Sequence, residues 1–184
     1  MISSEIFKLH EEIRNCKKCL IHKNGFCFER SSGTVINSVM IIGEAPGYTE
    51  TLTGKAFTGR SGKLLDSWLN FLEIKDYVIT NVVKHRPDDN RKPTEEEIKN
   101  CRPFLDYEIN YYKPKIILLL GATASQTILN IDLNITEVMK KSLSSGFFYN
   151  NIPVMVLYHP SYTLRTHIEP MLQEAKDFLR TLGL

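Results

Sequence analysis

Four short runs of mostly apolar residues constrain this chain more than any other feature: 38–43 (SVMIIG), 77–83 (YVITNVV), 115–121 (KIILLLG) and 153–158 (PVMVLY). They are apolar through most of their length and do not alternate with polar residues, as expected for strands buried on both faces of a parallel sheet. The segments between them carry apolar residues at helical spacing. Leu64, Leu65, Trp68, Leu69 and Leu72 form one stripe, and 122–130 reads as a second helix. Thr94 followed by Glu95, Glu96 and Glu97 starts a third, with a capping hydroxyl and acids at the positive end of the helix dipole. That helix runs past Cys101, with a kink expected near Pro103. Further amphipathic helices are expected at 4–13 and about 170–182, and 21–34 reads as loop. This alternation predicts an α/β fold, a three-layer α/β/α sandwich with a central, mainly parallel four-stranded sheet.

A chain of 184 residues fits a single domain, 1–184, and its 42% hydrophobic and 24% charged residues are those of an ordinary globular protein. The N-terminus opens into a charged amphipathic segment, with no signal peptide apparent. The longest apolar run, 116–120, is far short of the ~20 residues that span a bilayer. A soluble, cytoplasmic monomer without membrane association is expected. The net charge of +2 permits nucleic-acid binding without requiring it. Four cysteines in such a chain, two of them in Cys16-Lys17-Lys18-Cys19, point to metal ligands or buried thiols before disulfides.

In α/β sheets ligands bind beyond the carboxyl ends of the strands, so the segments following the four runs (44–47, 81–85, 121–125 and 159–162) form a candidate site. Glu44 stands in a Gly/Pro turn where backbone N–H groups can face a ligand. Asn81 interrupts an apolar strand with a side chain that both donates and accepts, which suits reading the edge of a base. His159 offers a donor to an anion forming on a leaving group. Phe57, in a polar glycine-containing loop, could stack on a base. Each has a plainer alternative: a solvated turn, an Asn bonded to backbone, a structural histidine, an aromatic folded over the core. Lys55, Arg60 and Lys63, then Lys84, Arg86, Arg91 and Lys92, then Arg165, are basic residues in the same stretches that could hold phosphates, or form a solvated face.

Taken in order, GEAPG at 43–47, the segment 54–65, TNVVK at 80–84 with Arg86-Pro87, Cys101, LGA at 120–122 and HPSY at 159–162 resemble the iron-sulfur uracil-DNA glycosylases called family four. The resemblance covers nearly the whole chain from Cys16 to about Tyr162. It implies a base-excision repair enzyme that flips uracil out of single- or double-stranded DNA and hydrolyses its N-glycosidic bond, leaving an abasic site. By that resemblance Glu44 positions or activates water, Ala45 belongs to the substrate pocket, Phe57 stacks on uracil, and Asn81 bonds its edge. His159 bonds O2 and stabilises the leaving anion, and Glu50 lies near C5, where it excludes a methyl group. Lys55, Arg60, Ser161, Leu164 and Arg165 are the expected DNA contacts, with 160–165 resembling the intercalating loop.

The family holds a [4Fe–4S] cluster through four cysteines, of which Cys16, Cys19 and Cys101 are matched and the remaining position is His85. Three arrangements are open at this stage: His85 completes a Cys₃His cluster site, Cys27 supplies a fourth thiolate, or the site holds zinc. Some relatives trap the sugar covalently through a histidine in a basic loop. Here that stretch is Asn90-Arg91-Lys92-Pro93 and has none, so turnover is expected over the alternative of a non-catalytic or trapping uracil-DNA binder.

Overall fold

A computed structural model describes residues 3–131, 134–144, 146–168 and 170–184. Helix α1 (Ser4–Arg14) is capped by Ser3, whose hydroxyl accepts the Ile6 N–H, and it buries Ile6, Leu9 and Ile13. There follow β1 (Arg30–Ser32), β2 (Val39–Gly43), α2 (Tyr48–Thr53), α3 (Arg60–Phe71), β3 (Tyr77–Asn81) and α4 (Glu95–Tyr112). The second half comprises β4 (Ile116–Leu120), α5 (Gly121–Leu129), α6 (Ile135–Ser144), β5 (Phe147–Tyr149), β6 (Ile152–Leu157), α7 (Pro160–Thr166) and α8 (Leu172–Thr181). Thr94 caps α4 in a reciprocal box with Glu97, and Pro103 sits inside that helix without ending it. Among the described residues, no helix is long and apolar enough to cross a membrane.

The architecture is mixed α/β, and its sheet has six strands, not the four expected, in the order β1-β3-β2-β4-β6-β5. The four apolar runs supply the parallel centre, β3, β2, β4 and β6. The two missed strands are three-residue antiparallel edges. β1 carries the polar sequence Arg-Ser-Ser and pairs with β3, and β5 reaches β6 through a turn at Asn150 and Asn151. Edges this short leave no periodic signal to read. Every residue of β2 and of β4 is buried, so both faces of the sheet are covered there. At about 1.5–3 kcal/mol for each fully buried aliphatic side chain, these strands are the main hydrophobic support of the fold.

The strand order fixes where a ligand can enter. From β2 the chain crosses to β3 on one side, and β4 then pairs with the other side of β2. A crevice therefore opens between the carboxyl ends of β2 and β4, at Glu44 and Gly121. Among the described residues, three α-helices were not read from the sequence: α2, α6 and α7. The last replaces the loop expected at 160–165.

Candidate active site

At that crevice lies a cavity of about 680 Å³ lined by residues from the segments after β2, β4 and β6, among them Glu44, Ala45, Phe57, Thr123 and His159. Thr123, on the first turn of α5, donates its hydroxyl to Glu44 Oε2 at 2.5 Å. The carboxylate is thus held across the gap between the two strands, with Oε1 left for another partner.

His159 is the N-cap of α7, and its Nδ1 accepts the Ser161 backbone N–H at 3.2 Å, with Ser161 Oγ at 2.8 Å. A backbone N–H can only donate, so Nδ1 carries no proton and the neutral ring must carry it on Nε2. Burial, reinforced by the charge of Arg165, lowers the His159 pKa to about 4. The site therefore holds a neutral Nε2–H donor at physiological pH. Lowering the pH from 8 to 5.5 should accordingly produce no protonation step near pH 6.5 at this ring, and ¹⁵N shifts of His159 across that range check it. The stability this neutral ring contributes is complete above the unfolded value near 6.5 and is lost as pH falls from there toward 4. A midpoint near 6.5 for the folded ring would show that burial does not hold it neutral, and a protonated Nδ1 at pH 8 would reject the tautomer assignment.

Phe57 is 5% exposed, packs against the core and lines the cavity, so the functional and plain readings describe the same side chain. Its ring is tilted against His159, with centroids 5.6 Å apart. Two glycines make room for it. A Cβ on Gly43 would fall 2.5 Å from the Phe57 ring and 2.7 Å from Asn81 Oδ1, and one on Gly62 would fall 1.8 Å from the Phe57 carbonyl oxygen. Over Gly43, then, the aromatic and the Asn81 amide converge. Asn81 is 2% exposed and is not itself part of the cavity wall; Oδ1 is buried without a partner, while Nδ2 donates to Cys27 Sγ at 3.7 Å.

Glu50 also lines the cavity, but both its oxygens are engaged: Oε2 accepts the Gly47 N–H, and Oε1 those of Thr58 and Gly59, at 2.8–3.1 Å. It ties the turn after β2 to the Phe57 loop. Arg60, Ser161 and Arg165 lie at the cavity wall; Lys55 and Leu164 are exposed nearby in sequence but outside it.

Lys84 departs from its reading as a phosphate contact. It is 1% exposed, and its ammonium donates to Glu108 Oε2 (2.7 Å), Thr80 Oγ1 (2.7 Å) and the Asn81 carbonyl (2.8 Å). Arg91 is likewise occupied, in a bidentate pair with Glu97. Spacing alone could not separate these from free basic residues, because the acids that bind them lie on α4.

Cys16, Cys19 and Cys101 share one neighbourhood. Burial, then the nearby Cys101 and Cys16, raise the Cys19 pKa to about 11. Cys101 accepts a hydrogen bond from the Lys84 backbone, immediately before His85, and the Asn100 side chain donates to the Lys18 carbonyl. His85 is 1% exposed; burial, and then the charge of His22, lower its pKa to about 4, and its Nε2 is buried with no partner. A neutral imidazole with an unsatisfied buried nitrogen, in the residue after the one whose backbone bonds Cys101, is by donor chemistry the kind of group that ligates a metal. Among the described residues no group of three or more His, Cys, Asp or Glu stands close enough together to hold a metal ion. The sulfur of Cys27, the alternative fourth thiolate, faces Asn81, and burial pushes its pKa up to about 12.

A sequence profile of the uracil DNA glycosylase superfamily matches residues 33–183. The type-4 uracil-DNA glycosylase of Pyrobaculum aerophilum is 35% identical over 88% of this chain and 85% of its own. That of Archaeoglobus fulgidus is 35% identical over 89% and 83%, and that of Sulfurisphaera tokodaii 36% over 96% and 84%.

Proposed function

The chain belongs to the uracil DNA glycosylase superfamily, among the type-4 uracil-DNA glycosylases, and from that premise we propose how its site works. It is a DNA-repair hydrolase that releases uracil from DNA. One observation carries the assignment of roles: a neutral His159 Nε2–H donor and a Thr123-held Glu44 carboxylate line one cavity at the switch point of the sheet.

Cleaving the N-glycosidic bond leaves the bonding pair on the base, spread to O2, and cationic character on the sugar. His159 donates to O2 as that charge grows, which stabilises the transition state more than the ground state. Glu44 orients a water toward C1′, takes its proton and favours the cationic sugar; the water oxygen bonds to C1′ as the C1′–N1 bond breaks and the uracil anion leaves. Phe57 covers one face of the base and Asn81 reads its edge. Ala45 borders the pocket, and Glu50 acts on specificity through the loop it braces. Arg60, Ser161, Arg165 and Lys55 are assigned to the DNA backbone, and Leu164 on α7 to the space the extruded nucleotide leaves. The protein acts as a monomer of one domain, with helices on both faces of its sheet.

A [4Fe–4S] cluster held by Cys16, Cys19, His85 and Cys101 is the favoured reading of the metal centre, with zinc as the alternative. When bound, it supplies structural cross-linking between the N-terminal segment, the loop after β3 and α4. The experiment is uracil release from a labelled single-stranded oligonucleotide in excess, with protein purified without oxygen and assayed for iron and acid-labile sulfide. Many turnovers per enzyme are expected, with both elements present. Binding of uracil-DNA without release would replace the enzyme reading by the trapping one, and bound zinc without iron would replace the cluster.

A further inference from the structure

Asn81 is gripped at two points and free at a third. Its carbonyl accepts from the Lys84 ammonium at 2.8 Å, its Nδ2 donates to Cys27 Sγ at 3.7 Å, and its Oδ1 is buried without a partner at the Phe57 and Gly43 surface. Cys27 is itself fixed, because its backbone N–H donates to the Lys84 carbonyl at 3.0 Å, next to the strand end that carries Asn81. A carboxamide turned by a half-rotation exchanges its acceptor and its donors with almost no change in shape. For a base-reading residue that exchange inverts the message. With Oδ1 toward the pocket, the amide accepts the N3–H of uracil while the second Nδ2 hydrogen reaches O4. With Nδ2 toward the pocket, it matches cytosine, whose N3 accepts and whose N4 donates.

We propose that Cys27 is a positioning residue for base selection: its sulfur accepts one Nδ2–H of Asn81 and so holds Oδ1 on the Gly43 and Phe57 side, where it would meet the edge of a base stacked on Phe57 in the orientation that takes uracil and refuses cytosine. This rests on the reading of Asn81 as the residue that meets the base edge. The thiol is 3% exposed and stays protonated, so in this role its hydrogen must point away from the amide and its sulfur lone pairs must meet Nδ2.

The test compares wild type with Cys27→Val, which is slightly larger and removes the acceptor, Cys27→Ser, which keeps an acceptor, and Cys27→Ala, which removes the acceptor and cannot overpack. Two quantities are read: kcat/KM for uracil release, and inhibition of that release by free uracil and by free cytosine. Cys27→Val and Cys27→Ala should lose about tenfold in kcat/KM, the size of one hydrogen bond. They should also narrow the ratio of the cytosine to the uracil inhibition constants by a similar factor, and Cys27→Ser should restore both. A merely structural thiol would change thermal stability and leave that ratio alone. If Cys27→Val fails to fold, Cys27→Ala carries the same test. An unchanged ratio in the folded variants overturns the proposal, as does Cys27→Ser behaving like Cys27→Val. Absence of uracil release by wild type would instead overturn the reading of the site on which it rests.

Discussion

Replacing His159 by alanine is expected to lower single-turnover uracil release by about 10²–10³-fold, the usual consequence of removing one preorganised donor from a developing anion. The expectation follows from the protonation state. Because Nδ1 is committed to the Ser161 N–H and burial keeps the ring neutral, Nε2–H is available over the working pH range without a charge to desolvate. The substitution is well placed to report on chemistry. Gly121, with φ +84°, allows β4 and the His159 backbone to approach so closely that a Cβ on it would lie 2.9 Å from the His159 Cβ, and alanine keeps that Cβ and its packing. What alanine does remove is the cap of α7, worth about 1 kcal/mol, and with it some of the order of the helix bearing Leu164 and Arg165. His159→Asn separates the two effects, since asparagine caps well but cannot place a donor where Nε2 lies. Both variants should therefore lose rate, and only alanine should also lose affinity for uracil-containing DNA. A rate within a few-fold of wild type in both would remove His159 from the mechanism.

How far the site could be read in advance depended on where its partners lie in the chain. The apolar runs announced β2, β3, β4 and β6 because a parallel strand buried on both faces must be apolar nearly throughout. Edge strands β1 and β5 bury little and pair over three residues, so nothing in their composition separates them from loop. The segments ending in Glu44 and His159 were legible as strand ends, and their convergence follows from strand order once β4 is known to pair with β2. Thr123 was not legible: a threonine in the first turn of a helix reads as ordinary, and only the approach of α5 to Glu44 makes it a partner. The role of Glu50 was hidden for the same reason, because its three N–H donors come from Gly47, Thr58 and Gly59. Lys84 was misread because Glu108, which neutralises it, is 24 residues away in sequence and touches it only in the folded state.

That buried pair carries the second large effect. Glu108→Ala is expected to destabilise the fold by about 3–5 kcal/mol, a large share of the roughly 5–15 kcal/mol typical of a domain. Lys84 and Glu108 are 1% and 0% exposed, so removal of the carboxylate leaves an ammonium in the core with only Thr80 Oγ1 and the Asn81 carbonyl as acceptors. The pair itself is no great source of stability, since desolvating two charges offsets most of their attraction. Burial, with the charge of Glu29, drives the Glu108 pKa upward against the pull of Lys84, and its Oε1 is buried with no partner. The double variant Lys84→Met with Glu108→Leu should therefore regain much of the stability lost by Glu108→Ala, as read from urea midpoints at constant slope. It should not regain activity to the same extent, because the Asn81 carbonyl loses its ammonium and the end of β3 its anchor. A double variant as active as wild type would make the pair a matter of folding alone, and a loss below about 1 kcal/mol in Glu108→Ala would mean that water reaches Lys84.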